Sequence, residues 1–171
     1  MGLSINSVPT IDSWIISYSV MLQSTTFILN SFKGVSMTNT EKAYIAGIID
    51  GEGNIMLTRF HKNQYHSPYV SIASTDLELL EWVKNTVKSD KITTKKNYNE
   101  EKHKNSYTYT IIYDEAIQLL QDIEPYLIIK KKKSRAQHII SKYKEVTIRN
   151  GRYNGTQKLA KEQFYLDFLA L

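Results

Sequence analysis

Between Thr38 and Gly53 the chain asks for a helix enclosed on nearly all sides. Thr38-Asn39-Thr40-Glu41 has capping-box spacing, in which a hydroxyl and a carboxylate three residues apart satisfy orphan amides, so a helix begins there. Apolar or small residues fill Ala43 to Ile49 on almost every face, which suits burial better than a surface position. Ala43, Gly47 and Gly51 recur every four residues and would let a second helix backbone approach closely. Asp50 and Glu52 then gather two carboxylates at the negative pole of the helix dipole, an opposition of about 0.3–1 kcal/mol each. Something positive should hold them, and a divalent cation would serve. The plainer reading is a helix stop and an acidic turn, with the glycines as C-caps.

Periodicity organises the rest of the chain. Alternation predicts strands over Asn54–Phe60 and Tyr69–Ser74, joined by a polar connection, and Thr75-Asp76 can cap a helix over Leu77–Val87. A second strand pair covers Lys91–Lys96 and Ser106–Tyr113 around a charged tip, and a helix over Glu115–Ile123 stops at Pro125. Beyond lie a helix running through Tyr143 and a last one near Gln157–Leu169, after the turn-rich Asn150–Gly155. The predicted class is α+β, with an αββαββα core, an antiparallel sheet and C-terminal helices. Residues 37–171 form the domain. Residues 1–36, which carry only Asp12 and Lys33 as charges, read as a separate N-terminal extension, disordered or loosely packed.

Composition narrows the function. With no cysteine among 171 residues, thiolate metal sites, thiol nucleophiles and disulfides are excluded. The net charge of +5 and pI near 9.2 favour a polyanionic partner, although so small an excess needs a motif beside it. The apolar stretch Trp14–Leu29 is interrupted by Ser17, Ser19, Gln23, Ser24, Thr25 and Thr26 and falls short of the ~20 apolar residues of a membrane span. No membrane role is expected. The N-terminus lacks the basic residues of a secretory signal and the arginines of a transit peptide.

The nonapeptide Ile45-Ala46-Gly47-Ile48-Ile49-Asp50-Gly51-Glu52-Gly53 resembles the LAGLIDADG signature of homing endonucleases, with Glu52 in its eighth position. The element order and the run Pro125-Tyr126-Leu127-Ile128-Ile129-Lys130-Lys131-Lys132 extend the resemblance over roughly Thr38 to Tyr143. What it implies is a site-specific, double-strand DNA endonuclease of the single-motif type, a homodimer acting on a long, near-palindromic target. Motif helices would meet at a dyad through Ala43, Ala46, Gly47 and Asp50. Glu52, with the Gly51 carbonyl, would bind Mg²⁺, for which Mn²⁺ could substitute, and two such sites suit phosphodiester hydrolysis. Lys130 falls where the family places a lysine near the scissile phosphate, a role in transition-state charge stabilisation. The compartment implied is that of the encoding genome: mitochondrion, chloroplast, or a bacterial or phage-infected cytoplasm.

The remaining basic run, Lys131, Lys132, Lys133 and Arg135, reads as phosphate contacts, against the commoner solvated face. If the sheet lies in a major groove, alternation turns Ile55, Leu57, Val70, Ile72, Ile92, Tyr107, Tyr109 and Ile111 inward. Asn54, Met56, Thr58, Tyr69, Ser71, Ala73, Thr93, Lys95, Asn97, Thr108 and Thr110 are left for DNA. Arg59, Lys62, Lys96, Lys102 and Lys104 at strand ends and tips would grip phosphates. His61, His66, His103 and His138 lack zinc-site spacing and read as solvent-facing or packing residues. The twelve tyrosines read first as packing residues, and only second as base-stacking ones. Neither Thr75 nor Asp76 is assigned to water positioning. The rival readings are an intron RNA maturase and a non-cleaving DNA-binding regulator on the same fold; an acidic residue at position 52 weighs against the first, and Glu52 together with Lys130 against the second.

Overall fold

The computed structural model describes residues 37–89, 91–95 and 104–171. The expectations for residues 1–36, Lys96, Asn97, Lys102 and His103 lie outside the described residues. The first helix, α1 (Asn39–Glu52), opens on the expected box: the Thr38 hydroxyl accepts from Glu41 N at 3.3 Å and the Glu41 carboxylate accepts from Thr38 N at 2.7 Å. It passes straight into β1 (Gly53–Thr58), after which come β2 (Ser67–Ser74), α2 (Leu77–Val87), β3 (Lys91–Lys95), β4 (Ser106–Ile112) and α3 (Tyr113–Ile123). A 3₁₀ turn over Glu124–Tyr126 leads to α4 (Lys130–Lys142) and α5 (Gly155–Ala170). No helix among the described residues is long and apolar enough to cross a membrane.

The four strands form one antiparallel sheet in the order β1-β2-β4-β3. Its inward face carries Ile55, Val70, Ile72, Tyr109 and Ile111, which pack with Ile45, Ile49, Leu80, Ile117, Leu120 and Ile139 of the helices. Burying such side chains contributes roughly 1.5–3 kcal/mol each, enough to pin the register, because a slip of one residue would turn all of them outward.

Element ends shift for local reasons. The first strand stops at Thr58, short of Phe60, because a turn forms in which Gln64 N donates to His61 O at 3.0 Å. The fourth strand gives way to helix at Tyr113, whose φ of 55° breaks the extended run. The last helix begins at Gly155, two residues before Gln157, because Gln157 is the third helical residue of a second capping box with Asn154. Asp76 has N-cap conformation, but its side chain makes no capping bond; its own amide donates to Ser74 Oγ at 3.0 Å.

Candidate functional site

Only one side of α1 is buried within the protomer. Ile45, Ala46 and Ile49 face the core, whereas Tyr44, Gly47, Gly51 and Glu52 lie toward the open side. A Cβ placed on Gly47 or Gly51 meets no atom within 4 Å among the described residues, so the small-residue stripe is left uncovered by them. Tyr44 stands 55% exposed at its margin, edge-on to Trp82 at 5.1 Å between ring centroids. The all-round burial expected from composition is therefore not reached in one copy of the chain. Ala46, expected at a contact between copies, is fully buried in the protomer's own core and cannot also face a partner.

At its C-terminus α1 is locked to the start of α4 by a reciprocal clamp. Asp50 Oδ2 accepts from the amides of Ile128 (2.7 Å) and Ile129 (3.5 Å), while Lys132 Nζ donates to the carbonyls of Ile49 (2.7 Å) and Asp50 (2.6 Å). Each end supplies what the other lacks: orphan carbonyls receive an ammonium, and the amides just ahead of α4 receive a carboxylate. Two expectations are corrected here. Asp50 serves this intramolecular clamp rather than a contact between copies, and Lys132 neutralises the helix pole rather than reaching for a phosphate. The positive group that the pole required is in the first instance this lysine.

Arg135 is corrected likewise. Its Nη1 donates to Ile55 O at 3.4 Å and its guanidinium lies 5.1 Å from the centroid of Phe168, so it is turned into the fold. Lys133 pairs with Glu124 at 3.8 Å. Lys130 and Lys131 remain exposed, as does Glu52, so the acidic end of α1 and the basic start of α4 share one edge of the molecule. Gly53 fixes the turn between Glu52 and the sheet, because a Cβ there would stand 2.7 Å from Ile49 Cα.

From that edge the outward sheet face leads away. Asn54, Ser71, Thr110 and Lys91 lie side by side across all four strands, and Ala73, Thr108 and Thr93 form a parallel row. Met56 and Thr58 are half-buried, and Lys95, Lys62, Arg59 and Lys104 are exposed. Ser71 is a correction: on the second strand, flanked on both sides, its small side chain is covered and only 7% exposed. Lys91 was missed, although the alternation that selects Thr93 and Lys95 also selects it. Tyr107, expected inward, is half-buried at the end of its strand. His138 packs, stacked on Phe164 at 4.6 Å, with Nε2 3.0 Å from Phe164 O.

The donor set at the edge is oxygen only. Among the described residues no three His, Asp or Glu side chains come together, so one copy of the chain brings a single free carboxylate, Glu52, to this position.

The family model of the LAGLIDADG-like domain matches residues 39–125, just over half of the chain, and the protein belongs to this family. No match was found among curated protein sequences. Of solved structures, the homing endonuclease I-CvuI in complex with its target aligns at a TM-score of 0.57 and 12% identity, over 77% of this chain and 82% of that one. The LAGLIDADG homing endonuclease I-GzeII, in complex with a DNA target, aligns at 0.55 and 19%, over 76% of this chain and 44% of the other. The group I intron-encoded homing endonuclease I-CeuI, complexed with DNA, aligns at 0.51 and 13%, over 90% and 81%. At these identities the likeness defines the fold, which is the LAGLIDADG homing endonuclease fold.

Proposed function

We propose that the protein is a DNA endonuclease of the homing type, acting as a homodimer that cuts both strands of a near-palindromic site with divalent metal. The observation that carries this reading is the placement of Glu52. Its carboxylate is exposed at the end of a helix whose small-residue face is open, at the end clamped to α4, whose first residue, Lys130, is also exposed, and at the root of the polar sheet face. A second copy docked through Ala43, Gly47 and Gly51 would bring a second Glu52 to the same edge, and two carboxylates with main-chain oxygen suit a hard cation such as Mg²⁺. The I-CvuI complex was solved in the presence of calcium, which accords with such a site.

A cation bound there would supply Lewis-acid polarisation of the phosphodiester and an activated water. The chain's own residues do the rest. Glu52 would hold the cation, and Lys130 would place positive charge where the transition state gathers negative charge. The Asp50–Lys132 clamp keeps these two groups in fixed relation, as positioning residues. Asn54, Thr93, Lys95, Thr108 and Thr110 face the groove, with Arg59, Lys62, Lys91, Lys104 and Lys131 toward phosphates.

The test is incubation with supercoiled plasmids carrying candidate sites, in Mg²⁺ or in EDTA. Metal-dependent linearisation is expected from the parent, and binding without cutting from Glu52→Gln. Cutting by that variant would remove Glu52 from the reaction, and binding without nicking by the parent would favour a regulator.

A further inference from the structure

Away from the Glu52 edge the described residues enclose a cleft of about 860 Å³, set between the β1–β2 connection and the segment that joins α4 to α5. Four tyrosines line it, Tyr65, Tyr113, Tyr143 and Tyr153. The rings of Tyr65 and Tyr153 meet across the two segments at 4.7 Å, tilted by 51°. Tyr113 is 41% exposed despite its aromatic ring, and it is one of only two non-glycine residues with positive φ among those described. Left-handed backbone at a bulky residue is disfavoured and persists where the surroundings impose it, often at ligand sites.

The charged groups of the cleft are mostly cationic. Lys144, Arg149 and Lys161 line it against one carboxylate, that of Asp114. Lys161 is 2% exposed; its ammonium bonds the Thr147 hydroxyl and lies 3.8 Å from the centroid of Tyr143. Among the described residues no carboxylate lies within ion-pair distance of it. A buried ammonium held by a hydroxyl and the ring faces of Tyr143 and Phe164, with no carboxylate beside it among the described residues, leaves its charge uncompensated, and an anion in the cleft would balance it.

Aromatic faces beside cations, with hydroxyls and the amides of Asn63 and Gln64 around them, form the donor set that recognises a base and its phosphate. The cleft also adjoins the outward sheet face, since Phe60 packs on Tyr113 at 5.2 Å and on Tyr69 at 6.1 Å. Strand β1 separates it from Glu52 by roughly 17 Å of extended chain. It is thus well removed from the cutting edge.

We propose that this cleft binds a single unpaired nucleotide, with the base against the Tyr65–Tyr153 pair and the phosphate held by Lys144, Arg149 and Lys161. The test needs no duplex and no metal. The full chain in EDTA is titrated by calorimetry with thymidine 5′-monophosphate, with a four-nucleotide oligothymidylate and with inorganic phosphate. Saturable one-to-one binding of both nucleotide probes is expected, with inorganic phosphate roughly tenfold weaker because it cannot stack. Tyr153→Ala and Arg149→Ala should each weaken nucleotide binding by roughly tenfold, while Tyr153→Phe, which keeps the ring, stays near the parent. Arg149→Ala, on the exposed joining segment, carries the test if Tyr153→Ala melts early. Phosphate binding as tightly as nucleotide, parent-like affinity in Arg149→Ala, or no saturable binding would each overturn the proposal. Glu52→Gln should bind the nucleotide like the parent, so loss of the nuclease reading leaves this one standing.

Discussion

Glu52 is free because three neighbours are not. Gly53 admits no side chain, Asp50 is bound to backbone amides, and Lys132 covers the last carbonyls of the helix. Gly53→Ala should destabilise the fold by about 1–3 kcal/mol, since the new methyl group meets main chain rather than a movable side-chain tip. Urea unfolding measures this, and an unchanged midpoint would show that the turn can open. Lys132→Met should lose about 1.5–3 kcal/mol, the usual range for a hydrogen bond from a charged group, because the carbonyls it serves lose their partner. Lys130→Met is expected to behave differently. It is exposed, so stability should stay within about 0.5 kcal/mol, while cleavage falls on the order of 100-fold. Equal losses of stability in the two variants would contradict the division of labour between them.

Among the elements, α1 has the most unusual composition for its position. A helix whose middle, Ala43 to Ile49, carries no charged residue should be enclosed there, yet the protomer buries only the Ile45, Ala46 and Ile49 side. Gly47 lies on the open side, where a Cβ meets nothing. Gly47→Ala should therefore stabilise the isolated protomer by about 0.5–1 kcal/mol through helix propensity alone. Gly47→Glu should fold like the parent but run at the mass of one chain, where the proposed dimer would put the parent at two. Light scattering decides this: a parent that stays at one chain's mass with and without target DNA would mean that the open face is not a contact between copies. The two ends of the helix differ in how far away their partners lie. Thr38 and Glu41 were legible as a cap because both partners are local, whereas the clamp on α1's other end depends on residues some 80 positions away.

At the scale of the whole molecule, the cleft places a titrating group between the sheet and the C-terminal helix. Burial pushes the Lys161 ammonium down to about 8 from an ordinary 10.5. The unfolded chain thus holds this proton between those values when the folded one has released it, and stability contributed at this site rises with pH across that window. Relative to Lys161→Met, the parent should gain melting temperature on going from pH 7.5 to about pH 10. A difference that stays flat would mean that the ammonium remains solvated. Burial also raises the Tyr143 hydroxyl, an effect of opposite sign at higher pH, but that group is present in both proteins and cancels. Nearby, burial first and then Arg59 and Lys161 hold His66 below the usual imidazole range, so acidification through that range should weaken the His66–Tyr165 stack, found at 3.6 Å.

From composition and spacing alone came the order of elements, the inward and outward sorting of most strand residues, the capping box at Thr38 and the acidic end of α1. All of these depend on periodicity or on partners within four residues, which a linear reading sees. Three-dimensional packing settled what lysines and arginines do. Lys130 to Lys133 look alike in the sequence, yet a helical turn of about 100° per residue sends Lys132 to the α1 carbonyls, Lys133 to Glu124 and Lys130 to solvent. Ser71 was sorted to the correct face but is covered by its neighbours, because exposure on a central strand depends on the strands beside it. The cleft could not be read from the sequence at all, since its tyrosines and cations come from segments far apart in the chain and only the folded backbone brings them together.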